Sequence, residues 1–196
     1  MTTHIALLRG VSVGGQQPIA ADTFTALLGE LGLANPRAVG GANNLVFDSP
    51  ERTGADLQNF LETEIHARLG LRTDIYVRTA QAWAAMIAAN PYTDFAESDP
   101  GLLMILFLKD APDKKVIGAL RTKLTEGQQL RVESRQLYVT YPDGLGASRF
   151  SNNIVEKALS TRITSRPWTQ IAALGEATAV DGDGEGTGED AAALDT

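Results

Sequence analysis

Arg9-Gly10-Val11-Ser12-Val13-Gly14-Gly15 sets a forked guanidinium donor beside three glycines, close to the amino end of the chain. A glycine loop between a strand and a helix can turn backbone N–H groups toward an anion, and the arginine adds a two-pronged donor. The residues match neither GxxxxGK[ST] nor GxGxxG, and Asp22 would compete with a phosphate at the following helix start. The plainer reading gives Gly10, Gly14 and Gly15 only a tight turn to make. Arg9, at the end of an apolar strand, then needs an internal carboxylate. Asn43-Asn44 supplies two side-chain amides that can hold a water or a polar ligand, or two residues that tolerate positive φ in a turn. Ser148-Arg149, ahead of Ser151-Asn152-Asn153, has the composition of a helix start, where Ser and Asn cap. Thr161–Trp168 is the densest polar and basic stretch. Its Arg166 can reach an anion or lie against Trp168, for which a core position is expected.

Other chemistry is thinner. There is no cysteine, and the only histidines are His4 and His66, so thiolate metal sites, disulfides and three-histidine sites are excluded. Neither histidine has an evident Ser or Asp partner for nucleophilic catalysis. No metal or cofactor is expected.

The elements that must position these groups follow from periodicity. His4–Arg9 is a continuous apolar run, the pattern of a buried central strand. Phe24, Leu27, Leu28 and Leu31 have helical spacing, with Gly32 just beyond. Arg37–Gly40 and Leu45–Ser49 flank Gly41-Ala42-Asn43-Asn44 as a hairpin. Thr53 and Asp56 resemble a capping box ahead of a stripe of Leu57, Phe60, Leu61, Ile65 and Leu69, closed by Gly70. Asp74–Arg78 alternates as a half-buried strand. The order is β-α-β-β-α-β, the ferredoxin-like arrangement. After a helix over residues 80–89, which Asn90-Pro91 stops, the pattern restarts. A strand spans Leu102–Lys109, and a helix carries Val116, Leu120 and Leu124. A hairpin spans Gln129–Glu133 and Gln136–Tyr141, and a helix carries Ile154, Val155, Ala158 and Leu159. A helix, Trp168–Leu174, is expected where the last strand would stand.

These patterns predict an α+β fold of two ferredoxin-like (βαββαβ-type) halves in tandem, with antiparallel sheets covered by helices. The boundaries expected are 1–79 for the first half, 80–101 for a bridge, 102–175 for the second half and 176–196 for a disordered acidic tail. Seven of the 24 acidic residues lie in that tail, which has no Lys or Arg, so residues 1–175 are neutral with 17 charges of each sign. The pI of about 4.8 belongs to the tail and does not argue against an anionic ligand on the body. The longest apolar run, Leu102–Leu108, is far short of a membrane span of about 20 residues. Without a basic start followed by an apolar stretch, the cytoplasm is the default location.

Leu8-Arg9-Gly10-Val11-Ser12-Val13-Gly14-Gly15 resembles the opening of a bacterial family named domain of unknown function 1697, Leu-Arg-Gly-Ile-Asn-Val-Gly-Gly. Three further motifs of that family have counterparts in order. They are Gly41-Ala42-Asn43-Asn44-Leu45-Val46-Phe47, Gly146-Ala147-Ser148-Arg149 and Thr164-Ser165-Arg166-Pro167-Trp168-Thr169-Gln170. Ser12, Ala42, Asn43 and Pro167 depart from the family pattern; Arg9, Asn44, Ser148, Arg166 and Trp168 keep it. The resemblance covers residues 1 to about 175 and implies two ferredoxin-like halves, but no activity.

The function expected from these readings is binding of a small anionic or phosphorylated ligand in a groove between the halves. The contributing residues are Arg9, Gly10, Gly14, Gly15, Asn43, Asn44, Ser148, Arg149, Arg166 and Trp168. Residues 121–166 hold eight basic and four acidic groups. A neutral body, an acidic tail and strands poor in aromatics disfavour nucleic acid. The alternatives are an acyl-phosphate hydrolase, in which Asn44 would orient water, and a non-enzymatic protein-interaction module.

Overall fold

The computed structural model describes residues 1–125 and 127–179. The first half contains β1 (Thr2–Leu8), α1 (Ala21–Glu30), β2 (Ala34–Ala38), β3 (Asn44–Ser49), α2 (Gly54–Leu69) and β4 (Ile75–Thr79), and α3 (Ala80–Ala88) follows without a break. A short helix, α4 (Thr93–Ser98), and a 3-10 turn at Pro100–Leu102 lead to the second half. That half contains β5 (Leu103–Leu108), α5 (Lys114–Arg121), β6 (Leu130–Glu133), β7 (Gln136–Thr140), α6 (Asn152–Leu159) and β8 (Ile163–Pro167), and α7 (Trp168–Ala179) follows directly.

Both sheets are four-stranded and antiparallel, in the orders β2-β3-β1-β4 and β6-β7-β5-β8. The two orders correspond strand for strand, so the tandem ferredoxin-like halves inferred from element order are present. One expectation is corrected. The second half does not lack its last strand: Ile163–Pro167 pairs antiparallel with β5, with Leu108 opposite Ile163 and Ile105 opposite Arg166. The stretch hides its strand character because the buried side chains of Ile163-Thr164-Ser165-Arg166 include Thr164 and Arg166, so no apolar alternation is written in it. The final helix reaches Ala179 rather than Leu174, and the expected tail beyond it lies outside the described residues.

Burial explains the apolar runs. Every side chain of β1 from Ile5 to Leu8 and of β5 from Leu103 to Leu108 is buried, because each strand is central and covered on both faces. Ala6 and Leu8 face α1 and α2 over one core. Leu106 and Leu108 face the layer of α5 and α6 over another. The inner faces of both sheets share a third core, which contains Ile5, Leu7 and Tyr76 from one half and Ile105, Phe107 and Tyr138 from the other. Trp83 of α3 and Trp168, Ile171 and Leu174 of α7 complete it. Trp83 stacks on Phe107 at 5.4 Å between ring centres and donates its indole N–H to the Ile171 carbonyl at 3.0 Å. At Gly175 a Cβ would stand 2.6 Å from Ile87 Cδ1, so the missing side chain lets α7 lie close on α3. Among the described residues no helix is long and apolar enough to cross a membrane.

The expected capping box at α2 is not formed. The Thr53 hydroxyl makes no cap bond and instead meets His4 Nε2 at 3.1 Å, while His4 Nδ1 lies 2.7 Å from the Thr2 carbonyl. His4 is fully buried, and desolvation holds its pKa below the ordinary 6.5.

Two outcomes follow. The unfolded chain protonates His4 more readily than the folded one does. Stability conferred by neutral His4 is therefore complete above pH 6.5 and lost as pH falls below it. Melting curves should show that decline, and His4→Gln should flatten it. Trp83→Ala, which opens a cavity in the core shared by both halves, should cost about 3–5 kcal/mol. In a chain of this size that lowers the melting temperature by roughly 6–20 °C in one transition.

Candidate functional site

A cleft of about 730 Å³ lies where the two halves meet. Its walls come from the loop after β1 (Arg9, Gly10, Ser12), the end of α2 with the turn into β4 (Glu62, His66, Leu71–Asp74), the start of α6 (Asn152, Asn153) and residues 162–166.

The residues around it are related by an approximate twofold, visible in the strand registers. Leu8 opposite Ile75 in the first sheet corresponds to Leu108 opposite Ile163 in the second. On that correspondence Arg9 matches Lys109, Asp74 matches Arg162, Arg78 matches Arg166, and Glu62 matches Glu156. Each cation reaches across to the opposite half. Arg9 donates through Nε to the Ile163 carbonyl at 3.1 Å and through Nη2 to Glu156 at 3.0 Å. Lys109 donates through Nζ to the Ile75 carbonyl at 2.8 Å and to Glu62. The two glutamates also accept from the amides of Ile75 and Ile163, at 2.8 and 2.9 Å. Asp74 and Arg162, equivalent to each other, pair across the boundary at 3.2 Å.

Arg166 is buried, and among the described residues its guanidinium meets no carboxylate. All five of its N–H groups have neutral acceptors: Nε to Asn44 Oδ1 at 2.6 Å, Nη1 to Thr164 Oγ1 at 2.9 Å and the Ser165 carbonyl at 2.8 Å, and Nη2 to the carbonyls of Leu8 at 2.9 Å and Asn43 at 3.0 Å. Burial lowers its pKa to about 10, which leaves it charged at neutral pH. Asn44, also fully buried, donates to the Val39 carbonyl at 3.1 Å and to Gln170 Oε1 at 3.3 Å. Three of the acceptors of Arg166 thus belong to the first half, and Arg166 itself to the second.

The structure gathers some of the residues singled out in the sequence and disperses others. Arg9, Gly10 and Arg166 line the cleft, and Asn43 and Asn44 stand behind it as acceptors for Arg166. The Gly10 amide donates to Thr73 Oγ1 at 3.1 Å. Gly14 and Gly15 form an exposed turn, both at positive φ, outside the lining. Ser148 bonds Gln128 Oε1 at 3.1 Å and accepts from the Phe150 amide at 3.0 Å, away from the cleft, and the cap of α6 is Ser151. Arg149 is exposed and outside the cleft, and Trp168 packs in the shared core. With Asn44 buried and its amide engaged, it is not placed to orient a water as the acyl-phosphate reading requires. Of the basic residues on which the anionic-ligand reading rests, Arg162 lines the cleft as well; sequence reasoning missed Arg72 and Asp74, with Glu62 and Glu156. The helical spacing of Glu62 and Glu156 reads as ordinary solvated surface, and only the fold sets each beside the other half. Among the described residues no cluster of three His, Cys, Asp or Glu side chains is placed to hold a metal.

Arg166→Lys tests how much the crossing bonds weigh. An ammonium cannot span the acceptors that the planar fork meets, and buried acceptors left unpaired cost about 1–3 kcal/mol each. The variant should lose at least about 2 kcal/mol in chemical denaturation. Arg9→Ala, which removes a half-exposed pair, should cost about 1 kcal/mol or less.

The family model described as "Protein of unknown function (DUF1697)" matches residues 1–138. The chain belongs to this family. No curated protein matches it. Among solved structures it is similar to the conserved bacterial protein SP0830 from Streptococcus pneumoniae. The two share 18% sequence identity and a TM-score of 0.71, over 89% of this chain and 97% of that one. At that identity the likeness is one of fold.

Proposed function

We propose that this member of the family is a binding module that takes a small phosphorylated or otherwise anionic ligand in the cleft between its halves. The observation that carries the reading is the inventory of donors left over once the walls are built. Arg166 and Arg9 are committed to the opposite half. Arg162 uses Nε on Asp74 and keeps its terminal nitrogens, and Arg72 is exposed with no ionic partner among the described residues. The two carboxylates in the lining, Glu62 and Asp74, are engaged by Lys109 and Arg162. At the start of α6 the Ser151 side chain makes no cap bond, and Asn152 and Asn153, the first residues of the helix, line the cleft. Guanidinium groups and a helix start favour the same ligand, a compact anion with several acceptor oxygens.

Thermal melting against inorganic phosphate, pyrophosphate and ADP, with sodium chloride at matched ionic strength as control, tests this. A ligand at a hundred times its Kd adds about 2.7 kcal/mol, a rise of roughly 5–11 °C. At least one of these anions should raise the melting temperature, and Arg72→Ala combined with Arg162→Ala should abolish the rise. No response beyond that of chloride, or an equal response in the double variant, contradicts the proposal.

A further inference from the structure

Arg78 occupies in the first half the place that Arg166 occupies in the second, since Ile5 lies opposite Arg78 as Ile105 lies opposite Arg166. The surroundings differ. Arg166 has five acceptors for five N–H groups, whereas Arg78 has two: the Val77 carbonyl for Nη1 at 2.9 Å and the Arg135 carbonyl for Nη2 at 3.4 Å. Where Asn44 accepts from Arg166, the corresponding residue Gln136 makes no bond to Arg78. Where Thr164 accepts, the corresponding residue is Tyr76, whose hydroxyl has no partner. Among the described residues, three N–H groups of a partly buried guanidinium therefore face no protein acceptor.

A second guanidinium stands beside it. Arg135, at the turn between β6 and β7, donates one side-chain hydrogen bond among the described residues, from Nη1 to the Lys109 carbonyl at 3.4 Å. Neither arginine has a carboxylate within ion-pair distance among the described residues. The Arg78 guanidinium lies over the Phe107 ring at 5.8 Å. Burial and the neighbouring Arg135 hold its pKa down at about 10, so it is charged at neutral pH. Two like charges at a half-buried place, short of acceptors, are complemented by an anion that carries several oxygens.

We propose that Arg78 and Arg135 form a second anion site, separate from the cleft, for a phosphate-class oxyanion held at the boundary between β4 and the β6–β7 turn. The inference does not depend on the reading of the cleft. It predicts that the anion supplies for Arg78 the acceptors that Asn44, Thr164 and Leu8 supply for Arg166.

The full-length protein labelled with nitrogen-15 allows the test, through the arginine Nε–H signals followed during titration with inorganic phosphate. The signals of Arg78 and Arg135 should shift together and saturate, while that of Arg166, whose donors are all taken, stays in place. Arg135→Ala lies in a turn. It should weaken the Arg78 response at least about tenfold while the remaining spectrum keeps its folded dispersion. The variant carrying Arg72→Ala and Arg162→Ala should leave the response intact, which separates this site from the cleft. The proposal is overturned if sodium chloride at equal ionic strength moves Arg78 as much as phosphate does, if Arg135→Ala leaves the phosphate response unchanged, or if the double variant abolishes it.

Discussion

The Arg166 guanidinium carries its charge into the boundary between the halves, where no carboxylate among the described residues meets it. Taking an ion out of water costs several kcal/mol even after relaxation, so such a group survives only where every donor is satisfied. Here five neutral oxygens do that, from β8 itself, from the last residue of β1, from the turn before β3 and from the first residue of β3. The acceptors exist only when both halves are folded and docked. The same side chain that would destabilise the second half alone becomes a bond between the two.

The remaining cross-half contacts repeat this logic in milder form. Arg9 with Glu156 and Lys109 with Glu62 are matched pairs, each linking the end of a first strand to a helix of the other half. They are partly exposed, so their Coulomb energy is screened and they weigh less than the buried bonds. Their arrangement decides what the cleft can offer. Groups that hold the walls are spent, so the proposed anion would have to be met by what is left: Arg72, the terminal nitrogens of Arg162 and the start of α6. The apolar part of the joint, the core built on Trp83, Phe107 and Trp168, brings the halves together without choosing a register. The directional bonds of Arg166 choose it.

Much of the fold was legible in the sequence because burial on two faces leaves continuous apolar strands, and burial on one leaves helical stripes. Ile5–Leu8 and Leu103–Leu108 are of the first kind, and Leu57, Leu61 and Ile65 of the second. β8 was not legible, since the residue that most constrains it is a buried arginine and periodicity counts arginine as surface. The pairing of the halves was hidden for a related reason. Arg9 and Lys109, Glu62 and Glu156, Arg78 and Arg166 are equivalent between the halves, but the loop after β1 is longer than the loop after β5 and α2 is longer than α6, so their spacing along the chain is not constant. Of the candidate site, Arg9, Asn44, Arg162 and Arg166 were legible as polar groups out of place. That Asn44 satisfies Arg166, that Arg9 bonds Ile163 and Glu156, and that Arg72 faces the cleft depends on contacts more than a hundred residues apart in sequence or on exposed loops with no pattern of their own.

The central claim is that the two ferredoxin-like halves form one cooperative unit because their polar boundary and their innermost core are held in common. Native-state hydrogen exchange reads this directly, because it reports the opening free energy of each amide. The amides of β1 and β5, the central strands of the two sheets, should exchange with the same free energy, equal to that of global unfolding. If those of one sheet exchanged through an opening more than about 2 kcal/mol below the other, the halves would be independent domains in contact, and the account would be wrong.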